Sequence, residues 1–165
     1  MDTAIRVGVI SDTHGLLRPT ALDFLRGSDF IIHAGDICGP TIIEDLARVA
    51  AVTAVRGNND AGAWTRALKE TELVRIGGID IYVIHDLAEL DIDPIAAGVQ
   101  VVISGHSHQP VIEHRDGVVF VNPGSAGPRR FKLPISVAEL IIAGRAVSAR
   151  IVELTNECVA SPRRR

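Results

Sequence analysis

The sequence predicts an α/β protein built on a parallel sheet with helices packed against it. Three apolar, strand-like runs near the N-terminus alternate with two amphipathic segments, which is the pattern of repeated β-loop-α units. Each run ends in a loop rich in polar residues. Because ligands of open α/β sheets bind outside the carboxyl ends of the strands, we expect a binding site at one sheet edge.

The first half of the chain contains three predicted strands and two predicted helices. Pro19 favours the start of the first helix and Gly27 its end. Apolar residues at amphipathic spacing indicate the second helix. In chain order, the five elements are Ile5–Ile10, Pro19–Arg26, Phe30–Ala34, Thr41–Val49 and Val52–Val55.

The second half is predicted to consist mainly of hairpins, with turns at Gly77-Gly78, Asp116-Gly117 and Ala143–Arg145. Asp91–Ala97 is predicted as a short helix with Pro94 in its first turn. The stretch 61–69 indicates no element, and Trp64 within it is either a lid or a surface anchor. The predicted strands are Glu72–Ile76, Ile79–Ile84, Val99–Ile103, Val111–His114, Val118–Val121, Ile135–Ile142 and Ala146–Leu154.

Length and composition limit the class of protein. The 165 residues suit a single domain, which we predict over residues 1–157, followed by a basic, disordered tail at 158–165. No apolar run approaches the roughly 18 residues needed to cross a bilayer, and no signal segment is evident, so we expect a cytoplasmic protein without a membrane partner. A net charge of −3 and 4% aromatic residues disfavour nucleic acid as a stable partner. Cys38 and Cys158 are expected to be reduced.

Seven residues that can bind a metal follow predicted strands, in five separate loops. Each alone has an ordinary explanation as a turn, cap or solvated residue, but their shared position favours one joint site. Imidazole, carboxylate and amide oxygen suit manganese, iron, zinc or cobalt better than magnesium or calcium. Two ions about 3.5–4 Å apart need an anionic bridge, which an aspartate can supply. The seven residues are Asp12, His14, Asp36, Asn58, His85, His106 and His108.

In order and spacing, the motifs around these residues resemble those of the calcineurin-like metallophosphoesterases. The chain length, Val55–Asn58 and Asn122–Ser125 are similar to the small YfcE-type phosphodiesterases. The resemblance extends to about Arg130 and implies a four-layer αββα sandwich of the metallo-dependent phosphatase type. The matching motifs are Asp12-x-His14, Gly35-Asp36, Gly57-Asn58-x-Asp60, His85 and Gly105-His106-x-His108.

The resemblance also implies a ligand set and a reaction. Attack on phosphorus by a hydroxide shared between two ions would make the protein a phosphodiesterase of small substrates, with Asp36 and Asn58 as catalytic residues. Mn²⁺ is the expected metal, with Ni²⁺, Zn²⁺, Fe²⁺ and Co²⁺ as alternatives. One ion would bind Asp12, His14, Asp36 and His108, and the other Asp36, Asn58, His85 and His106, with Asp36 as the bridge.

Two positions depart from the family pattern. Asn59 stands where many relatives have a histidine that protonates the leaving group, which an amide cannot do at neutral pH. Asp86 stands where relatives commonly have glycine, and it either disturbs the loop or hydrogen-bonds to a metal ligand. The alternative functions are a phosphomonoesterase and a non-catalytic interaction scaffold, such as the retromer small subunit. A homodimer is suggested by family analogy alone.

Further residues are expected to line the substrate site. Asn122 and Ser125 would shape its floor in a turn that Pro123-Gly124 favours. Arg56, Arg129 and Arg130 could clamp phosphate oxygens, although arginine is also a common surface residue. His33, on a predicted buried strand, is interpreted as a core or supporting histidine rather than an eighth ligand. The predicted substrate contacts are Asn59, Asn122, Ser125, Arg56 and Arg129.

Overall fold

Two five-stranded sheets pack face to face in the computed structural model, which describes residues 3–155. The strands are β1 (Ile5–Ile10), β2 (Phe30–His33), β3 (Ala51–Ala54), β4 (Thr71–Ile76), β5 (Ile79–Ile84), β6 (Val101–Ile103), β7 (Val111–Arg115), β8 (Val118–Asn122), β9 (Ser136–Ala143) and β10 (Ala146–Glu153). The first sheet has the order β10-β9-β1-β2-β3, and the second has the order β4-β5-β6-β8-β7.

The direction of the strands decides where the polar loops lie. In the first sheet β1, β2 and β3 are parallel, and in the second sheet β5, β6 and β8 are parallel. Antiparallel hairpin strands complete one edge of the first sheet and both edges of the second. The loops that carry the seven candidate ligands therefore follow the carboxyl ends of parallel strands from both sheets, as the sequence predicts for one edge.

Buried apolar residues connect the layers. Val9 and Ile32 of the first sheet pack against Ile81 and Val101 of the second in the central core. The helices α1 (Pro19–Leu25) and α2 (Pro40–Ala47) cover the other face of the first sheet. The outer face of the second sheet is covered by a short 3-10 helix, Leu87–Glu89, and the segment after it, through the side chains of Leu87, Leu90 and Ile92. The four-layer αββα arrangement is confirmed, although the fourth layer is short.

The predicted helix at Asp91–Ala97 is wrong, because this segment forms only one hydrogen-bonded turn. The side chain of Asp93 accepts the backbone N–H of Ile95 at 3.1 Å, and the N–H of Ala97 bonds to the Asp93 carbonyl at 3.0 Å. Gly98 then adopts a φ of +73°, a left-handed conformation that ends helices. A helical turn therefore does begin at Asp93, but Gly98 ends it after about one turn.

The stretch without a predicted element contains a second 3-10 helix, Ala63–Ala67. Trp64 is half-buried there against the core beneath the helices, which agrees with a packing anchor rather than a lid. No helix in the described part of the chain is long and apolar enough to cross a membrane. The predicted disordered tail at 158–165 and Cys158 lie outside the described residues.

Candidate metal centre

Asp12, His14 and His108 bring three ligand atoms together at the carboxyl ends of β1 and β6. The Oδ1 atom of Asp12 lies 3.3 Å from Nε2 of His108 and 3.7 Å from Nε2 of His14, and the two imidazole nitrogens are 3.2 Å apart. The carboxylate of Asp12 is fully buried, and its Oδ1 has no hydrogen-bond partner among the described residues. Burial of an unsatisfied carboxylate oxygen is costly unless a cation meets it, so this cluster fits a metal ion.

Asp36, Asn58, His85 and His106 form a second group beside the first. The Oδ1 atom of Asn58 lies 3.0 Å from Nε2 of His85 and 3.2 Å from Nδ1 of His106. The other ring nitrogen of His85, Nδ1, is 2.7 Å from the carbonyl oxygen of Ala34. Since a carbonyl only accepts, Nδ1 carries a proton and Nε2 is directed to the candidate ligands.

Both aspartates reach both groups. The Oδ2 atom of Asp36 is 3.4 Å from Nε2 of His85 and 3.7 Å from Nε2 of His14. Asp12 also approaches His85, with 4.0 Å between Oδ1 and Nε2. Burial would raise the pKa of Asp36, but the nearby His85 imidazole and two hydrogen bonds from Asn59 outweigh it and hold the pKa well below its ordinary value. A negative charge between the groups is therefore favoured, and bridging by Asp36 stays a prediction.

Five of the seven candidate ligands have a left-handed backbone, which side chains other than glycine rarely adopt. Their φ angles lie between +46° and +68°, and each such residue costs on the order of 1 kcal/mol. Clustered strain of this kind is typical of functional sites, where the surrounding structure holds the chain in an unfavourable conformation. The five residues are Asp12, His14, Asp36, His106 and His108.

Two glycines allow the ligand loops to pack directly on each other. A Cβ atom on Gly57 would collide with the backbone nitrogen and a carboxylate oxygen of Asp36. A Cβ atom on Gly105 would collide with the side chains of Ser11 and Asp12. The glycines of the two motifs are thus explained by contact between loops of different strands.

His33 supports the first group without belonging to it. Its Nδ1 accepts the N–H of Gly35 at 3.2 Å, so its Nε2 donates to Oγ1 of Thr13 at 3.0 Å. Thr13 in turn donates to the carbonyl of Ile37 at 3.0 Å. Burial lowers the pKa of this fully enclosed imidazole to about 4. Both ring nitrogens are used, which agrees with the interpretation of His33 as a supporting histidine.

Asp60 has a role that the sequence motif did not reveal. Its two carboxylate oxygens accept the backbone N–H groups of Cys38 and Gly57, each at 2.8 Å. The buried carboxylate therefore ties the loop after β3 to the loop after β2. The motif includes Asp60, but it does not show which groups the carboxylate binds. These groups belong to residues 3 and 22 positions away along the chain.

Three of the predicted substrate contacts, Asn59, Asn122 and Ser125, also hold candidate ligands or their loops in place. The side-chain Nδ2 of Asn59 donates to Oδ2 of Asp36 at 2.9 Å. Asn122 donates to the carbonyl of Gly105 at 2.9 Å, and the Ser125 hydroxyl donates to the carbonyl of Asp12 at 2.9 Å. For Asn122 and Ser125 these bonds agree with the expected shaping of the site floor, and their contact with substrate stays a prediction.

Beside the second group, a cavity of about 380 Å³ opens to solvent. Arg56 lines it together with Asn58, His85 and His106, whereas Arg129 lines a separate cavity with Glu153. A contact of Arg129 with substrate stays a prediction. Burial lowers the pKa of His14, and the charge of Arg130 lowers it further against the opposing effect of Asp36. Arg130 is therefore close enough to His14 to influence its charge.

Comparison with known proteins agrees with this centre. A sequence model of the calcineurin-like phosphoesterase superfamily domain matches residues 5–144. The chain belongs to this superfamily. A probable metallophosphoesterase of Methanothermobacter thermautotrophicus is 37% identical over 157 residues, which cover 88% of this chain and 91% of that protein. A phosphodiesterase of Methanocaldococcus jannaschii is 28% identical over 138 residues, which cover 73% of this chain and 83% of that protein.

Structural comparison finds the same fold in a protein of different description. The structure of vacuolar protein sorting 29 from Cryptosporidium parvum superposes with a TM-score of 0.80 at 20% identity, and the match covers 94% of each chain. At this identity the likeness shows the fold alone. The predicted family and fold are confirmed, and membership of a metal-dependent family supports a metal-binding phosphoester hydrolase.

Proposed function

We propose that the protein is a two-metal phosphodiesterase that hydrolyses small phosphodiesters. The observation that carries this proposal is the unpartnered, fully buried Oδ1 of Asp12, which lies among the imidazoles of His14, His85 and His108. A buried carboxylate surrounded by convergent nitrogen ligands has little structural purpose without a cation. The phosphodiesterase description of the M. jannaschii relative supports the choice of reaction.

The seven donors divide into two sets that share one aspartate. Mn²⁺ is the proposed metal, because imidazole, carboxylate and amide oxygen suit borderline divalent ions. Such ions supply an activated water and positive charge for the phosphoryl oxygens. The first set is Asp12, His14, Asp36 and His108, and the second is Asp36, Asn58, His85 and His106.

The chain's own side chains would bind and orient the substrate. The Oδ1 atom of Asn58 is directed to the second metal position. Its Nδ2 carries two N–H groups that can donate to a phosphoryl oxygen. Arg56, at the wall of the 380 Å³ cavity, can pair with a second phosphoryl oxygen. Asn59 keeps the carboxylate of Asp36 in place through its backbone N–H at 2.8 Å and its side chain at 2.9 Å.

Two features favour a small diester with a good leaving group. Asn59 stands where a leaving-group acid would be needed, and its amide has no acidic proton at neutral pH. Four carboxylates line the cavity and repel a polyanion such as a nucleic acid strand. These carboxylates belong to Glu70, Asp86, Glu89 and Asp91.

The rival proposal is a non-catalytic interaction module on the same fold. It is favoured by the structural likeness to vacuolar protein sorting 29 and by the lack of an acid at position 59. A third possibility, a phosphomonoesterase, shares the metal centre and differs only in substrate. A single assay separates the three.

The assay compares bis-p-nitrophenyl phosphate with p-nitrophenyl phosphate as substrates of metal-stripped protein. Mn²⁺, Ni²⁺, Zn²⁺ and Mg²⁺ are added separately, and bound ions are counted by elemental analysis. We expect Mn²⁺-dependent cleavage of the diester in preference to the monoester, and its loss in Asp36→Asn. Binding of two ions without turnover of either substrate would overturn the phosphodiesterase in favour of the interaction module. Preference for the monoester would establish the phosphomonoesterase.

A further inference from the structure

Asp86 lies directly after His85, at the carboxyl end of β5, and its two carboxylate oxygens have different neighbours. Oδ1 accepts the backbone N–H of Ala88 at 3.0 Å and so anchors the side chain to the 3-10 helix Leu87–Glu89. Oδ2 lies 3.6 Å from Nε2 of His106. The carboxylate is therefore fixed by one oxygen while the other faces a candidate ligand.

The backbone at Asp86 does not require this residue type. Its φ of −108° and ψ of 115° are ordinary extended values that most residues adopt, so the loop is not disturbed there. Capping of the short 3-10 helix explains Oδ1 but not the orientation of Oδ2. Of the two roles that the sequence left open, the geometry therefore favours a contact with His106.

The two nitrogens of the His106 ring face opposite partners. Nδ1 lies 3.2 Å from Oδ1 of Asn58, inside the second ligand set, and Nε2 faces Asp86. A metal ion binds the unprotonated nitrogen, and the partner of the other nitrogen selects the tautomer. A carboxylate beside Nε2 attracts the proton to that side and leaves the Nδ1 lone pair directed to the metal position.

His106 needs such a partner more than His85 does. The His85 ring is 6% exposed and is oriented by the carbonyl of Ala34, whereas the His106 ring is 45% exposed. His106 also stands between the 380 Å³ cavity and a smaller one of about 190 Å³, and Asp86 lines both. An exposed imidazole at the wall between two cavities has few packing contacts to hold its ring.

We propose that Asp86 is a positioning residue for the second metal site: it holds His106 as the Nε2-protonated tautomer, with Nδ1 presented beside Asn58. The inference rests on the proposed metal centre, although it does not depend on which phosphoester is cleaved. It predicts that the charge of Asp86, and not its capping bond, determines the affinity of the second ion.

The test titrates metal-stripped protein with Mn²⁺ and with Zn²⁺ by calorimetry, in the wild type and in three variants. Asp86→Asn keeps a helix-capping oxygen but removes the charge, whereas Asp86→Ala removes both. Glu89→Gln is the matched control, since it removes a carboxylate from the same cavity and the same 3-10 helix. We expect Asp86→Asn and Asp86→Ala to weaken the second ion about 10-fold or more. The first ion and Glu89→Gln should stay within about twofold of the wild type.

A second readout follows the tautomer itself. In metal-stripped protein labelled with ¹⁵N-histidine, we expect the neutral His106 ring to carry its proton on Nε2, and Asp86→Asn to show a mixture of the two tautomers. An Asp86→Asn protein with wild-type affinity, or an equal loss in Glu89→Gln, would overturn the inference. If the wild type binds two ions but cleaves no diester, the proposed function fails, and these affinities still decide the role of Asp86. A wild type that binds fewer than two ions would contradict both.

Discussion

The two candidate ligand sets differ most in how deeply they are buried. In the first, the side chains of Asp12 and His108 are 0% and 4% exposed, and the His33–Thr13 network holds the loop between Asp12 and His14. In the second, the His106 ring is 45% exposed and faces the large cavity. From this difference we expect a division of labour under the proposed function, in which the buried set would retain its ion and the open set would meet the substrate.

The strongest test of this division replaces one histidine of each set with alanine. We expect His108→Ala to lower bis-p-nitrophenyl phosphate turnover more than about 100-fold and to remove the ion of the buried set. At this buried position water does not take the place of the missing imidazole as a ligand. His106→Ala should retain one tightly bound ion by elemental analysis and lose less activity. Equal loss of both ions in both variants would contradict the division.

Contact between the loops is the next feature to break. Gly57→Ala should destabilise the protein by about 2 kcal/mol or more and disorder the centre, because its Cβ collides with the backbone of Asp36. Gly39→Ala is the control, since Gly39 has an extended φ of 172° and no atom within 4 Å of an added Cβ. Urea unfolding of both metal-stripped variants measures the difference, and similar midpoints would refute the close-packing argument.

Substrate affinity should depend on the open set. Arg56→Ala is expected to raise KM for the diester about fivefold, the equivalent of roughly 1 kcal/mol for an exposed charged hydrogen bond, with little change in kcat. Arg75→Ala is the matched control, because Arg75 pairs with Asp80 on the β4–β5 hairpin and does not line this cavity. Steady-state kinetics with bis-p-nitrophenyl phosphate decide the point, and an unchanged KM would remove Arg56 from the substrate site.

The support of the buried set should show in the pH dependence of stability. The pKa of His33 is about 4 in the folded protein against an ordinary value of 6.5. Between these values the unfolded chain binds a proton that the folded chain does not, so His33 makes stability fall as pH decreases from about 6.5 to 4. Above this range neither state is protonated, and the stability that depends on neutral His33 is fully present.

His33→Gln should therefore flatten the dependence of unfolding free energy on pH between 4 and 6.5. The measurement is urea unfolding of chelator-treated protein at several pH values. His114→Gln is the control, since His114 is exposed on β7 and lies outside the centre. If both variants keep the wild-type slope, His33 does not contribute to the acid sensitivity of the fold.

Much of the fold could be predicted because its signals are local. The pairs Gly77-Gly78 and Asp116-Gly117 both adopt the left-handed φ angles of a two-residue hairpin turn, as their sequences indicate. The helix at Asp91–Ala97 was mispredicted because Gly98 competes with the start signal within one turn. For Arg129 and Arg130 nothing local indicates which of the two contacts substrate, and the choice of Arg129 stays a prediction.

The family resemblance, the succession of strands along the chain and the seven polar residues that follow strands could all be predicted without coordinates. These depend on residue type and spacing, which are readable without coordinates. The contact of Asn59 with Asp36, the tie that Asp60 makes between two loops and the approach of Asp86 to His106 became visible only in the folded protein. Such contacts join loops from strands distant in sequence, and their distances follow from how two sheets pack rather than from any local pattern.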